Sequence, residues 1–521
     1  MISQSDLPQF ESATVEPRVE PIPPRYWWLK RITIAAGVLL VALFALRLWW
    51  GWEANRRLQA EIDRIIAAGE PIYPEDFDPK EDIPDDQNAA RLLIGADEAI
   101  NLTSEQQEVF EKVVGQPDLI RARLDEVRGI VESNSEVFRR LRRARGLPVT
   151  DWGMRFRTPA LNTSIPSFSD QRKLSKFMSV SATYQHIAGN DGEAVDILRD
   201  ALAHSEYLSQ QQTLIAQLST WACGALTIQA IEDILPTMSI TSKNEDPTQE
   251  GGSASRAQVR NLIAELLDER GFREGMRRAM MCERMYQVDI LKTLVQGTTT
   301  MSALFGWSGP MPASVPDVVW RYALGPALTL DTIAILRETT PFVDAADSAS
   351  FSGVPETGDD SSNESGFKFL QHPLRSYLSG SLEHAFELYF RLLARRRVAG
   401  TALAIRLYEI DFWHRPGTLA ELVPEYLPQM LEDPFTEDGE ALRYLPNATH
   451  PVVYSIGDDG LDEEGNAEEW VDVTFFLDGW RLEDNADDKA PPTSTQAGED
   501  QKNAEEDEGK TDEDGESEEQ P

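Results

Sequence analysis

Residues 32–50 read ITIAAGVLLVALFALRLWW, nineteen positions with a single charge, Arg47. As a helix this run is about 29 Å long, close to the thickness of a bilayer's hydrocarbon core. Tyr26, Trp27 and Trp28 precede it and Trp49, Trp50 and Trp52 close it, the paired aromatic belts of a spanning helix. A buried core helix seldom carries a tryptophan cluster at each end. A cleavable signal peptide fits poorly with the long preceding stretch and with the lack of a small-x-small site after the run. The stretch is read as an uncleaved single-pass anchor, with Arg47 placed to snorkel toward the head groups. It separates a short stub, residues 1–31, from everything after Trp50.

Arg18, Arg25, Lys30 and Arg31 on one side of the run nearly balance Arg56, Arg57 and Arg64 on the other, so the positive-inside count decides little. A short stub inside and a long region outside is the usual outcome for such an anchor, and it places the C-terminal region beyond the cytoplasmic membrane. In that oxidising compartment Cys223 and Cys282 are either two buried thiols or a bridge. Two cysteines in 521 residues exclude a disulfide scaffold and a four-cysteine zinc module.

Beyond the anchor the pattern is mainly helical. Residues 51–87 combine a juxtamembrane helix, with Leu58, Ile62, Ile65 and Ile66 on one stripe and a stop at Gly69 and Pro71, with an acidic Pro-rich linker; together they read as a stalk. Residues 88–340 form a helical domain. Within it Ala194, Ile197, Leu198, Ala201, Leu202, Ser205 and Leu208 share one helical face. The turn Gly189-Asn190-Asp191-Gly192 joins that helix to the preceding one as a helical hairpin. Further helices are expected over 211–235, 257–270 and 273–295, with a polar loop over 237–256 between them. The polar stretch 341–367 reads as a second linker.

The formal charge of −39 excludes nucleic-acid binding by the molecule as a whole, and it is concentrated at one end. Residues 481–521 hold 16 acids and four bases and almost nothing apolar, the composition of a disordered tail. Residues 431–480 hold 14 acids and one base, Arg443. Three arginine clusters interrupt the acidity: Arg139, Arg140, Arg142, Arg143 and Arg145; Arg270, Arg273, Arg277, Arg278 and Arg284; and Arg391, Arg395, Arg396 and Arg397. They read as solvated helix faces paired with nearby acids, in preference to a phosphate or anionic-polymer site.

Residues 368–480 form the last module. A long helix over 373–410 carries an apolar stripe that includes Leu378, Leu382, Phe386, Tyr389, Leu393 and Leu403. Leu442 and Tyr444, then Val452, Tyr454 and Ile456, then Val471, Val473 and Phe475 alternate with outward residues, the spacing of three short antiparallel strands. The order of helix, LAELVPEYLP, Asp433-Pro434-Phe435, LRY and Tyr454-Ser455-Ile456-Gly457-Asp458-Asp459-Gly460 resembles the globular domain of type II secretion pseudopilins. It also resembles uncharacterised bacterial single-span envelope proteins that end in the same module. Asn88-Ala89-Ala90 and Glu283-Arg284 are similar to short motifs of that envelope group. The anchor lies more than 300 residues from the module and no prepilin-peptidase motif stands before Leu40, so the resemblance implies a small α+β fold and not a filament subunit.

The resemblance further implies calcium at Asp458, Asp459 and Asp462, with Glu463, Glu464, Glu468 and Glu469 nearby as hard oxygen donors. Six scattered histidines form no paired metal spacing, and Gly306-Trp307-Ser308-Gly309 lacks the spacing of a nucleophile elbow. The chain is thus expected to be a membrane-anchored extracytoplasmic structural or interaction protein of the bacterial envelope, with protein partners in a secretion-like assembly. The alternative is an anchored hydrolase with its site in the helical domain.

Overall fold

The computed structural model describes residues 26–79, 83–165, 168–242, 252–298, 317–355, 382–466 and 471–480. The expectations for residues 1–25, 356–381 and 481–521, for Gly306 to Gly309, and for Glu468 and Glu469 lie outside the described residues.

The anchor run and the juxtamembrane segment form one unbroken helix, α1 (Trp27–Ala67). Its apolar part is long enough to cross a membrane, and no residue of its most apolar stretch is buried in the body. It ends where the sequence stops it. Gly69 takes φ +78° and the Glu70 N–H reaches the Ile65 carbonyl at 3.3 Å, a closure that glycine permits.

The remaining helices are α2 (Ala89–Glu98), α3 (Ser104–Val113), α4 (Pro117–Ala122), α5 (Leu124–Ser133), α6 (Ser135–Arg145), α7 (Phe168–Ile187), α8 (Asp191–Ser209), α9 (Leu214–Ile234), α10 (Arg256–Leu267), α11 (Arg270–Gln296), α12 (Asp317–Ala345) and α13 (Leu382–Phe412). The α7–α8 hairpin turns through Gly189, and every residue of the α8 stripe read from the sequence is buried. Asp200 and His204, off that stripe, are buried too, because α8 lies inside the bundle with neighbours around it.

Residues 146–159 form no helix, although they fall inside the stretch expected to be helical. Gly146, Pro148, Gly153 and Pro159 break it. Asn88 holds the break in place: its Oδ1 accepts the N–H groups of Ala90 and Asp151, and its Nδ2 donates to the Asp151 carbonyl at 2.8 Å.

The segment expected to be a stalk is docked on the body. Ile62 and Ile65 of α1 pack with Ile72, with Val288 of α11 and with Leu336 of α12. Residues 341–355, from the stretch read as a linker, also enter the core. Phe342 packs on Phe386 at 5.5 Å between ring centroids, and the Phe351 N–H donates to the Pro434 carbonyl at 2.8 Å. One hydrophobic core consequently runs from Phe77 to Leu477 through both the helical region and the C-terminal module.

The strands β1 (Arg443–Leu445), β2 (Val452–Ser455) and β3 (Val473–Phe476) form an antiparallel sheet in the order β1-β2-β3, with Val453 opposite both Tyr444 and Phe475. Val453, Val473 and Phe475 join the main core. The parity of β2 differs from the expectation: Val453, expected outward, is the residue that faces the core with Phe475, while Val452 and Tyr454, expected to face it, lie on the opposite face with Phe476, buried beneath Leu445 and Trp480. Both cysteines are free and buried, which settles the choice between thiols and a bridge.

Candidate functional site

The two motifs behind the pseudopilin resemblance meet at one buried carboxylate. Asp433 is 1% exposed; its Oδ1 accepts the Ser455 hydroxyl at 2.6 Å and the Phe435 N–H at 3.0 Å, and its Oδ2 accepts the Ile456 N–H at 2.9 Å. Gly457 follows at φ +73°, where a Cβ would stand 2.4 Å from the Val471 carbonyl oxygen. The spacing of Asp433-Pro434 against Tyr454-Ser455-Ile456-Gly457 is thereby a folding constraint that ties the strands to the preceding loop.

The expected calcium residues do not converge. Asp458 is paired with Arg391 of α13. Asp459 accepts the Leu461 N–H at 3.0 Å. Asp462 accepts the Tyr454 hydroxyl at 2.9 Å, the Glu464 N–H at 3.1 Å and Arg443 at 3.3 Å. Burial alone would raise the Asp462 carboxyl, but these donors hold it below the usual aspartate range. Asp472, not singled out in the sequence, accepts the Gly465 and Asn466 N–H groups at 2.8 and 3.0 Å. Asp458, Asp459 and Asp462 thus each meet different protein donors. Among the described residues no group of three His, Cys, Asp or Glu side chains is arranged to hold a metal.

The arginine clusters are paired with acids, as expected, but many of them point inward. Arg284 is fully buried and donates to Glu70 at 2.6 Å, fastening the end of the α1 segment to α11. Arg396, 2% exposed, donates to the carbonyls of Glu265 and Asp268 at the end of α10 and lies over the Phe272 ring at 4.4 Å. Arg397 and Arg273 share Glu269. Arg396 falls four residues after Leu392 and three after Leu393, inside the apolar stripe of α13, so its burial was signalled by position.

A groove of about 720 Å³ lies between α7, α9, α13 and β3. Leu218 and Trp221 of α9, Leu392 of α13 and Phe475 of β3 give it an apolar lining. Arg172, Lys176, Arg391 and Arg395 stand along it against only two acids, Glu232 and Asp472. Arg391 is paired with Asp458 and Lys176 with Glu111, so Arg172 and Arg395 carry most of the groove's positive character.

One wall of the groove is the open edge of the sheet. The Leu477 N–H donates to the Pro451 carbonyl at 2.8 Å, and antiparallel hydrogen bonding alternates every second residue. Val473 and Phe475 therefore bond toward β2, while the N–H and C=O of Thr474 and the N–H of Phe476 face away from it; the Phe476 carbonyl accepts the Gly479 N–H at 3.5 Å. α9 forms the facing wall. Its length and hydropathy are also those of a membrane span, but 56% of its most apolar window is buried inside the body, which makes it a core helix with one side left to the groove.

Two histidines take part in hydroxyl contacts. His204 is fully buried between the Ser175 hydroxyl at 3.1 Å and Gln171 at 2.9 Å, and burial pushes its pKa down to about 3. It is a neutral core histidine without access to substrate. His186 lies between Asp191 Oδ1, 2.6 Å from its Nδ1, and the exposed Thr237 hydroxyl, 2.9 Å from its Nε2. That is the order of carboxylate, base and hydroxyl found in hydrolytic triads. It also ties the α7–α8 turn to the end of α9. Glu283 and Arg284, similar to a motif of the envelope group, are packing groups. Glu283 accepts the Leu214 N–H and is pushed up to about 7 by burial.

Comparison with family models, with curated proteins and with solved structures finds no match to this chain.

Proposed function

We propose that this chain is a membrane-anchored interaction protein of the bacterial envelope that captures an extended acidic peptide segment by strand addition to β3. The observation that carries the reading is a strand edge, without a neighbouring strand among the described residues, that opens into an apolar groove with a basic rim. Outward N–H and C=O groups supply the main-chain hydrogen bonds of β-augmentation, alternate side chains of the incoming strand reach the apolar lining, and its carboxylates meet Arg172 and Arg395. The α1 helix supplies the anchor, with the body on the extracytoplasmic side. The order of long helix and three antiparallel strands supports kinship with the pseudopilin module, and hence a partner in a secretion-like assembly.

The test is binding of a fluorescent peptide of alternating valine and glutamate to the full chain in detergent. Thr474→Pro removes an outward N–H without touching the β2 ladder, and Arg395→Glu inverts a rim charge; both should abolish binding that Thr474→Ala retains. Unchanged affinity in both variants would refute the site. Protease added to spheroplasts should remove the region after Trp52, and protection would reverse the orientation.

The hydrolase alternative has one observation in its favour, the Thr237–His186–Asp191 chain. An acylating probe that labels Thr237, and fails to do so in His186→Ala, would support it.

A further inference from the structure

The body's contact with α1 begins inside the apolar run and not after it. Arg47 does not snorkel freely: its Nε donates to the Tyr322 carbonyl of α12 at 2.6 Å, and its Nη2 makes the same contact. The guanidinium carbon lies 4.9 Å from the centroid of the Tyr322 ring, and Phe44 stacks on that ring at 6.5 Å. Gly51, one helical turn on, leaves room for this arrangement, since a Cβ there would stand 2.9 Å from Arg47 Nη1.

The Tyr322 carbonyl needs that donor for a covalent reason. In an α-helix the carbonyl of residue 322 bonds to the N–H of residue 326, and residue 326 is proline. In water such an orphan is hydrated at little cost. In hydrocarbon it must be met by a protein group, and α12 is met there by the one charged side chain of the anchor run.

The level of the contact follows from helix geometry. At 1.5 Å per residue, Phe44 lies about 9 Å deeper than Trp50 toward the middle of the run. Tyr322 packs at that level and is still 48% exposed. One sequence feature agrees: residues 293–316 contain no charged residue in a chain that is 26% charged. Val295, near the end of α11, is 49% exposed.

We infer that the start of α12 around Tyr322 to Pro326, with the end of α11, is embedded in the lipid leaflet on the Trp50 side, so that acyl chains cover the exposed faces of Tyr322 and Val295. The body is seated in the bilayer instead of being held above it. This inference rests on α1 spanning the membrane and is independent of the β3 groove.

The experiment places one nitroxide label at a time on the full chain in phosphatidylcholine vesicles and compares collisions with oxygen, which partitions into lipid, and with a water-soluble nickel chelate. The sites are Leu40→Cys in the anchor, Tyr322→Cys and Val295→Cys at the proposed contact, and Glu105→Cys on the exposed surface. The unsubstituted chain, whose two cysteines are buried, is the labelling control. Oxygen-favoured collisions at Leu40, Tyr322 and Val295, shifted away from the Glu105 value, are expected. Nickel-favoured collisions at both Tyr322 and Val295 with Leu40 in lipid would overturn the seating and leave the anchor standing. Nickel-favoured collisions at Leu40 as well would overturn both. Val295→Cys, on a different helix, keeps the test decisive should Tyr322→Cys disturb the Arg47 contact.

Discussion

Replacing Asp433 by alanine tests whether the motif pair of the C-terminal module acts as one unit. The carboxylate is buried and accepts three hydrogen bonds, from Ser455, Phe435 and Ile456. Hydrogen bonds to a charged acceptor contribute about 1.5 kcal/mol each or more, and removal leaves buried N–H groups unmet; relief of the buried charge offsets part of this. The net loss expected for Asp433→Ala is about 3 kcal/mol. Ser455→Ala alone should cost about 1 kcal/mol, because only one of the three bonds is lost. In the Asp433→Ala background the serine substitution has no carboxylate left to abandon, so its cost should fall below about 0.5 kcal/mol. The assay is urea unfolding of the full chain in detergent, followed by tryptophan fluorescence, with all four members of the cycle compared. An Asp433→Ala loss under about 1 kcal/mol, or additive single effects, would refute the claim that the carboxylate couples the two segments.

Three further substitutions probe the body. Glu283 has a folded-state pKa raised to about 7 from 4.5 by burial, so the folded state holds its proton more tightly than the unfolded state does. Stability should therefore decline as pH rises from 4.5 to 7, by on the order of 2 kcal/mol. Glu283→Gln should flatten that slope and raise the melting temperature at pH 8; an unchanged slope would show that another group titrates. Arg284→Met leaves Glu70 with Arg277 as its remaining ion-pair partner and should cost about 2 kcal/mol in the same unfolding assay, with Glu70→Gln recovering part of the loss in the double variant.

What the sequence made legible was local. The anchor run, the α8 stripe, the Gly69 stop and three strands of period two are fixed by short-range spacing, and each is found at the expected place within a few residues. The features that escaped depend on residues far apart in the chain. The second face of the sheet is covered by Trp480, which lies beyond the last strand, so alternation alone could not show that β2 is buried on both sides. The groove needs α9 beside β3, elements separated by more than 200 residues. Arg47 meets a carbonyl 275 positions away, and nothing in the anchor run announces it beyond the charge itself. The partners of the loop carboxylates were equally hidden: Arg391 on α13 meets Asp458, and Arg443 and Tyr454 meet Asp462.

The continuity of α1 has a consequence for how binding at the groove would feel from outside. A 41-residue helix is about 60 Å long, and its far end is fixed into the core by Ile62 and Ile65. With no hinge between bilayer and body, neighbouring copies in one membrane would hold their grooves at a common height and tilt, free only to diffuse laterally and spin about the normal. A partner carrying several acidic strands would then meet a planar array and not a set of independent tethers. Its retention would grow with the surface density of the array, because each captured strand confines the search of the next to two dimensions.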